Sequence, residues 1–196
     1  MHICIKMAEE KKQKTDKKSF QEFEIPEGIQ AVVEDSTLIL KKENKEIRRK
    51  LQPAIGLKIE NNKLIVKIKK TSKKEKKIFG SLKAHIKNMI KGLKDGFKYH
   101  LQVSNVHFPM NVTFDKATHE LIVKNFLGEK KDRRIKINQD VEVKVDKGEI
   151  ELSSHDIEKA GQAAANIEKG AKVRNKDRRI YQDGIFITSK PRRDFL

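Results

Sequence analysis

The sequence has no tryptophan, only two tyrosines and a single cysteine, Cys4. One cysteine excludes an intramolecular disulfide and fits a reducing compartment. So few tyrosines and tryptophans argue against a module that reads bases by stacking, which needs exposed rings at fixed places. His2 and Cys4 are too few ligands to hold a metal. No apolar run approaches the ~18 residues of a membrane span, and the start is too polar for a signal peptide. HxxxH, CxxC, HxE, GxSxG and the P-loop are all missing. Nothing therefore points to metal-dependent, nucleophilic or nucleotide-hydrolysing chemistry. These absences fit a soluble cytoplasmic protein and give no sign of catalysis or of a small-molecule substrate.

What the chain has in excess is positive charge. Over 196 residues, 45 Lys and Arg face 28 Asp and Glu, a formal net charge of +17. Self-repulsion of this size does not stabilise a fold, so it implies an acidic partner. Nucleic acid is the default, because each Lys or Arg placed on a phosphate releases counterions. Disorder is not the explanation. Ile, Leu, Val and Phe number 54, about 28% of the chain, above the ~20% below which chains tend not to fold.

Residues 8–19 hold nothing apolar larger than Ala8 and read as a solvated arm. Short strands dominate from Phe23 onward. Thr37 to Leu40 is one. Leu64, Val66 and Ile68 mark another, Leu101 and Val103 a third, and Val141, Val143 and Val145 a fourth. Asp146-Lys147-Gly148 then turns the chain into residues 149–152, a hairpin signal. Two segments have helical spacing. In residues 81–93, Leu82, Ile86, Met89, Ile90 and Leu93 share a face, with Ser81 as N-cap and Gly96 past the end. In residues 153–170, Ile157, Ala160, Ala164 and Ile167 share a face, Ser153 and Asp156 resemble a capping box, and Gly170 is the stop. The small residues of this second helix predict close packing on a sheet.

The order of pieces repeats. TLILK (37–41) matches ELIVK (120–124), Arg48-Arg49 matches Arg133-Arg134, and NKLIVKI (62–68) matches GEIEL (148–152). Each half then enters its helix. Chance likeness among short β-rich segments is the competing explanation; duplication is the more economical one. The expected fold is α+β, with two tandem similar domains, each an antiparallel-rich sheet packed with one helix. The expected divisions are a basic arm (1–20), an N-terminal domain (21–102), a C-terminal domain (103–190) and a basic tail (191–196).

Basic residues cluster at 11–18, 41–50, 67–77, 124–136 and 169–179. Any one run is usually a solvated face; five of them together favour RNA. Two clusters stand out. In NFLGEKKDRR (125–134), Gly128 either lets the backbone turn sharply onto a phosphate or serves an ordinary hairpin with Phe126 or Leu127 beneath it. In KVRNKDRRIYQDGIFI (172–187), Lys172, Arg174, Lys176, Arg178 and Arg179 alternate with Asn175 and Tyr181. Arg offers a fork to phosphate, Lys a point charge, and Asn can reach sugars or base edges. Asp177 is out of place in such a patch unless it holds an arginine. His85, beside the first helix's apolar face, reads as a structural histidine.

Several of these segments resemble one known family. FEIPEGI (23–29), NMIKGLKDGFKY (88–99), HFPMNV (107–112), NFLGEK (125–130) and NKDRRIYQDGIFI (175–187) are similar to the large-subunit ribosomal protein numbered six in the bacterial and universal series and nine in the eukaryotic one. The likeness runs in the same order from about Phe23 to Lys190 and is nearer to archaeal and eukaryotic members. It implies two similar α+β domains, no catalytic activity and no cofactor. It implies binding to large-subunit rRNA, mainly through the C-terminal domain (103–190), beside the sarcin–ricin loop and the base of the stalk, near other ribosomal proteins and the docking site of translational GTPases. Localisation would be the cytoplasmic ribosome, with nucleolar assembly if the source is eukaryotic. The implied rRNA contacts are Asn125, Gly128, Glu129, Lys130, Arg133 and Arg134, then Lys172, Arg174, Asn175, Lys176, Arg178 and Arg179. The alternatives are an extraribosomal RNA-binding regulator on the same scaffold, and an RNA-processing enzyme, for which no acid–base pair or metal cluster is readable.

Overall fold

The computed structural model describes residues 20–43, 45–53, 55–60, 63–68 and 72–195. Apart from Phe20, the expected arm lies outside the described residues, as does the 11–18 cluster. The chain divides into two compact units, Met1–Lys94 and Asp95–Leu196.

The first unit holds β1 (Phe20–Glu24), β2 (Gln30–Glu34), β3 (Thr37–Lys42), β4 (Lys45–Lys50), β5 (Ile55–Glu60), β6 (Lys63–Ile68) and α1 (Lys73–Lys94). Its two antiparallel sheets have the orders β1-β6-β5 and β2-β3-β4. Leu38, Ile39 and Leu40 are buried in succession, as expected of a central strand covered on both faces. Leu64 and Val66 point one way from β6 and meet Phe79, Leu82, Ile86, Met89 and Leu93 of α1 in one core. Fully burying each such side chain contributes about 1.5–3 kcal/mol.

The second unit holds β7 (Phe97–Ser104), β8 (Asn111–Asp115), β9 (Glu120–Lys124), a 3-10 turn (Phe126–Gly128), β10 (Arg133–Lys136), β11 (Glu142–Asp146), β12 (Glu149–Ser154), α2 (Ile157–Gly170), β13 (Gly184–Lys190) and β14 (Arg193–Asp194). Its sheets run β10-β9-β8 and β11-β12-β7-β13-β14. β7 alternates cleanly, with Phe97, Tyr99 and Leu101 inside and Lys98, His100 and Gln102 outside. Close packing of the alanine-rich helix is borne out. Ala160, Ala163, Ala164 and Ile167 are buried, and a Cβ added at Gly170 would fall 2.6 Å from Ile135 Cδ1.

The duplication holds strand for strand: β1-β6-β5 repeats as β7-β12-β11, and β2-β3-β4 as β8-β9-β10. One detail of the sequence match is corrected. With β3 aligned on β9, Leu40 and Val123 are equivalent; Leu40 pairs with Ile47 and Val123 with Arg133. Arg48 therefore corresponds to Arg134, and Arg133 stands where the first unit has Ile47. A slip of one residue reverses the face of every side chain, so Arg133 points inward and Arg134 outward.

Other boundaries also move. The division falls after Lys94 rather than at 102/103, because β7 is one unbroken strand of the second unit. The first helix begins eight residues before Ser81. Ser72 and Glu75 form its capping box, each backbone N–H bonded to the other's side chain (3.2 and 3.3 Å). Lysines 73, 74, 76 and 77 are good helix formers, so part of the 67–77 cluster is helix. Ser81 is interior, its Oγ 3.3 Å from His85 Nε2. The second helix is capped by Asp156, which accepts from Glu158 N–H (2.9 Å), while Ser153 ends in β12. The tail is not free of structure either. It turns at Pro191-Arg192, and Ser189 and Lys190 pair with Asp194 and Arg193.

Candidate nucleic-acid interface

Three loops of the second unit hold the residues singled out above or their partners: 105–110, 125–132 and 171–183. The middle loop leaves β9 by two left-handed residues. Asn125 has φ 57° and Leu127 φ 50°, and Gly128 follows at φ 77°. Glu129 N–H then closes the turn on Phe126 O at 2.9 Å. Phe126 is buried beneath it and Leu127 half-buried. A Cβ at Gly128 would touch the Phe108 ring at an ordinary 3.7 Å. Glycine is therefore favoured by the backbone angle rather than by lack of space.

Arg133 joins this loop to the third. β10 alternates, so Arg133 and Ile135 face inward while Arg134 and Lys136 face solvent. Facing inward, Arg133 meets the C-terminal end of α2. Its Nη1 donates to the carbonyls of Gly170 and Lys172, both at 3.0 Å. Nε and Nη2 donate to the two oxygens of Glu129, at 2.8 and 2.5 Å. The guanidinium lies 3.8 Å from the centroid of the Phe126 ring. A cation here satisfies carbonyls that a helix end leaves open and complements its dipole. The bond from Arg133, with the fields of Arg174 and Lys176, holds the Glu129 carboxyl below the usual range against the opposing effect of burial. Arg133 and Glu129 are thus committed to each other, and the cations beyond them stay turned to solvent.

Asp183 fixes the first loop to the third. It is 2% exposed. Its Oδ1 accepts from the backbone N–H groups of Val106 and His107, both at 2.9 Å, and its Oδ2 pairs with His107 Nδ1 at 2.6 Å. Burial pushes the carboxyl up, but these hydrogen bonds outweigh it and leave the group below its ordinary value. The His107 ring lies 5.0 Å from that of Tyr181, and Lys176 Nζ sits 4.5 Å above Tyr181. Asn125 adds a bond from Nδ2 to Pro109 O at 3.0 Å.

The predicted residues separate into groups. Asn125, Gly128, Glu129 and Arg133 form the scaffold that holds the three loops together. Lys130, Arg174, Asn175, Lys176, Arg178 and Arg179 are exposed. Lys172, Arg178 and Arg179 line a hollow of about 710 Å³ beside Tyr181 and Phe186. Asn175 has φ 57°. Asp177 does hold an arginine, but through its backbone: its carboxylate accepts from Arg179 N–H at 2.9 Å. Arg134 stands apart, on the outer face of β10 in the field of Asp115. His107 and Asp183 were not expected. Their motifs carry no local signature, since the two are 76 residues apart. Val106, Phe108 and Ile180 are also exposed, at 62, 45 and 63%, so apolar side chains stand among the cations. Rigid loops bearing solvent-facing Lys and Arg suit phosphate contacts. Among the described residues no His, Cys, Asp and Glu cluster can hold a metal ion.

The family model described as ribosomal protein L6 matches residues 25–96 and 108–184, one segment in each unit. The protein described as large ribosomal subunit protein uL6 from Methanococcus vannielii is 42% identical over 171 residues, 87% of this chain and 93% of the relative. The protein of that name from Methanobrevibacter smithii is 36% identical over 171 residues, covering 87% and 95%. The Haloarcula marismortui protein is 35% identical over 173 residues, covering 88% and 96%.

Proposed function

The chain belongs to the ribosomal protein L6 family, and from that membership we propose that it is anchored in the large ribosomal subunit through the loop cations of its second unit. Its role as a large-subunit ribosomal protein is structural. The contact we assign is large-subunit rRNA beside the sarcin–ricin loop and the stalk base, with other ribosomal proteins adjacent and translational GTPases docking nearby. The site of action is the cytoplasmic ribosome.

One observation supports this reading above the rest. Arg133 and Asp183 fasten three loops into one rigid edge before any RNA arrives. Loops already ordered lose little further entropy on binding, so more of the phosphate interaction appears as affinity. The cations on that edge include Arg174, Arg178 and Arg179, and arginine grips phosphate with a fork.

The test is to neutralise Arg174, Lys176, Arg178 and Arg179 together as glutamines and measure incorporation into large subunits. Incorporation should fall sharply, and remaining binding should be less sensitive to salt, by just under one log–log unit for each lost phosphate contact. Unchanged incorporation would refute this segment as the anchor. Sedimentation addresses the extraribosomal alternative: stoichiometric co-migration with large subunits in high salt supports the ribosomal role, and presence only in light fractions supports the alternative.

A further inference from the structure

Helix α1 of the first unit carries eight lysines and one glutamate. The glutamate, Glu75, is occupied in the capping box. Lys73, Lys76, Lys83, Lys87, Lys91 and Lys94 follow one another at steps of three, seven, four, four and three residues. That spacing keeps them on one side of the helix, alongside the buried side formed by Phe79, Leu82, Ile86, Met89 and Leu93. All but Lys83 are exposed; Lys83 lies over the Phe79 ring, its Nζ 5.8 Å from the centroid. None of the six forms an ion pair among the described residues. Twenty-two residues at 1.5 Å each make a rail of about 33 Å. At its middle stand Gly80 and Ala84, both exposed, so a backbone can come close to the helix there.

The fold does not require this charge. The matching helix of the second unit, α2, has two lysines and two glutamates. Nor does helix stability favour it. Like charges at helical spacing repel, and lysines in the first turn oppose the helix dipole. A surface shaped for solubility would mix the two signs.

We propose that the outer face of α1 is a second RNA-binding surface, a lysine rail that takes the phosphate backbone of a double-stranded RNA segment. A duplex fits better than a single strand because the rail has no exposed aromatic ring for bases to stack on. Its lysines are point charges along a straight line, which suits a regular row of phosphates rather than a base sequence.

The test uses the full chain and an RNA duplex of roughly 16 base pairs. Lys76, Lys83, Lys87 and Lys91 are replaced by glutamine, which keeps helix propensity. The slope of log affinity against log salt should become shallower by about 2–3 units, with circular dichroism unchanged. The same four positions as arginine should keep the parent slope. Should the fourfold glutamine variant fold poorly, Lys87→Gln with Lys91→Gln gives the same readout at about half the size. An unchanged slope overturns the proposal. So does an equal effect on a single-stranded RNA of the same length, or tighter binding to anionic phospholipid vesicles than to the duplex. The result is independent of the loop anchor: glutamines at 174, 176, 178 and 179 test that anchor and leave the α1 rail intact.

Discussion

The two units are one fold used twice, and they differ most where each places an inward arginine. In the second unit it is Arg133, at the start of β10, bonded to the end of α2 and to Glu129. In the first the equivalent position is Ile47, which is buried. The inward arginine there comes two residues later, as Arg49, with its Nη2 2.8 Å from His85 Nε2 on α1. The second unit has an isoleucine, Ile135, at that point. Arginine and isoleucine have thus changed places along one strand face. An isoleucine at the first position completes a core. An arginine there reaches past the core and ties two surface loops to it. The second unit also gains β13 and β14 along the outer edge of β7, and with β13 comes Asp183, the anchor of a third loop. The lesson is that polar side chains can tie surface loops to a repeated scaffold without altering the strand order the two units share.

Four changes probe this difference. The largest effect should come from Asp183→Ala, which removes a buried acceptor from two backbone N–H groups and His107 and should cost the second unit about 3 kcal/mol. Hydrogen exchange, read for each unit, would locate the loss; equal loss in both units would break the comparison. Arg133→Ala should follow at about 2 kcal/mol, with faster exchange at 125–132 and 170–173 together. If only one of those segments loosens, Arg133 does not couple them. Gly170→Ala should cost about 1 kcal/mol, since its Cβ would press on Ile135. Gly80→Ala is the opposite case. Nothing lies within 4 Å, so the first unit should gain about 0.5–1 kcal/mol, measurable as a raised melting temperature.

Acid gives a further contrast. The Asp183 carboxyl is below its ordinary value in the folded state. Its contribution is therefore complete above the ordinary carboxylate range and is lost as pH falls through the lowered value. Asp183→Asn should flatten that part of the acid-unfolding curve of the second unit while leaving the first unit's curve as it was. An unaltered curve would mean that the carboxylate is not what holds residues 105–110 in acid.

Periodicity revealed most of the scaffold. β6, β7, β11 and both helices follow from alternating or helical spacing of apolar side chains, because burial sets that spacing directly. The errors lie where two signals compete. Lysines 73, 74, 76 and 77 carry so much charge that they read only as part of a basic run, although lysine sustains a helix once Ser72 and Glu75 have started it. Ser153 resembles a cap by composition, but Asp156 has the extended backbone that a cap requires. The site was legible as charge and illegible as geometry. Arg133 and Arg134 are neighbours in sequence with opposite roles, decided by strand register, which no single segment contains. Asp183 became meaningful only once β13 brought it to His107.

The position of β13 bears on how the chain is made. β7 is the middle strand of its sheet, with β12 on one side and β13 on the other. Synthesis runs from the N-terminus, so every described strand of the first unit is complete before β7 begins. β7 then stands with one side open until Gly184–Lys190 has left the synthetic machinery. An open strand edge recruits wrong partners. For the nascent second unit, the hazardous interval is the time the ribosome takes to travel from Ser104 to Lys190.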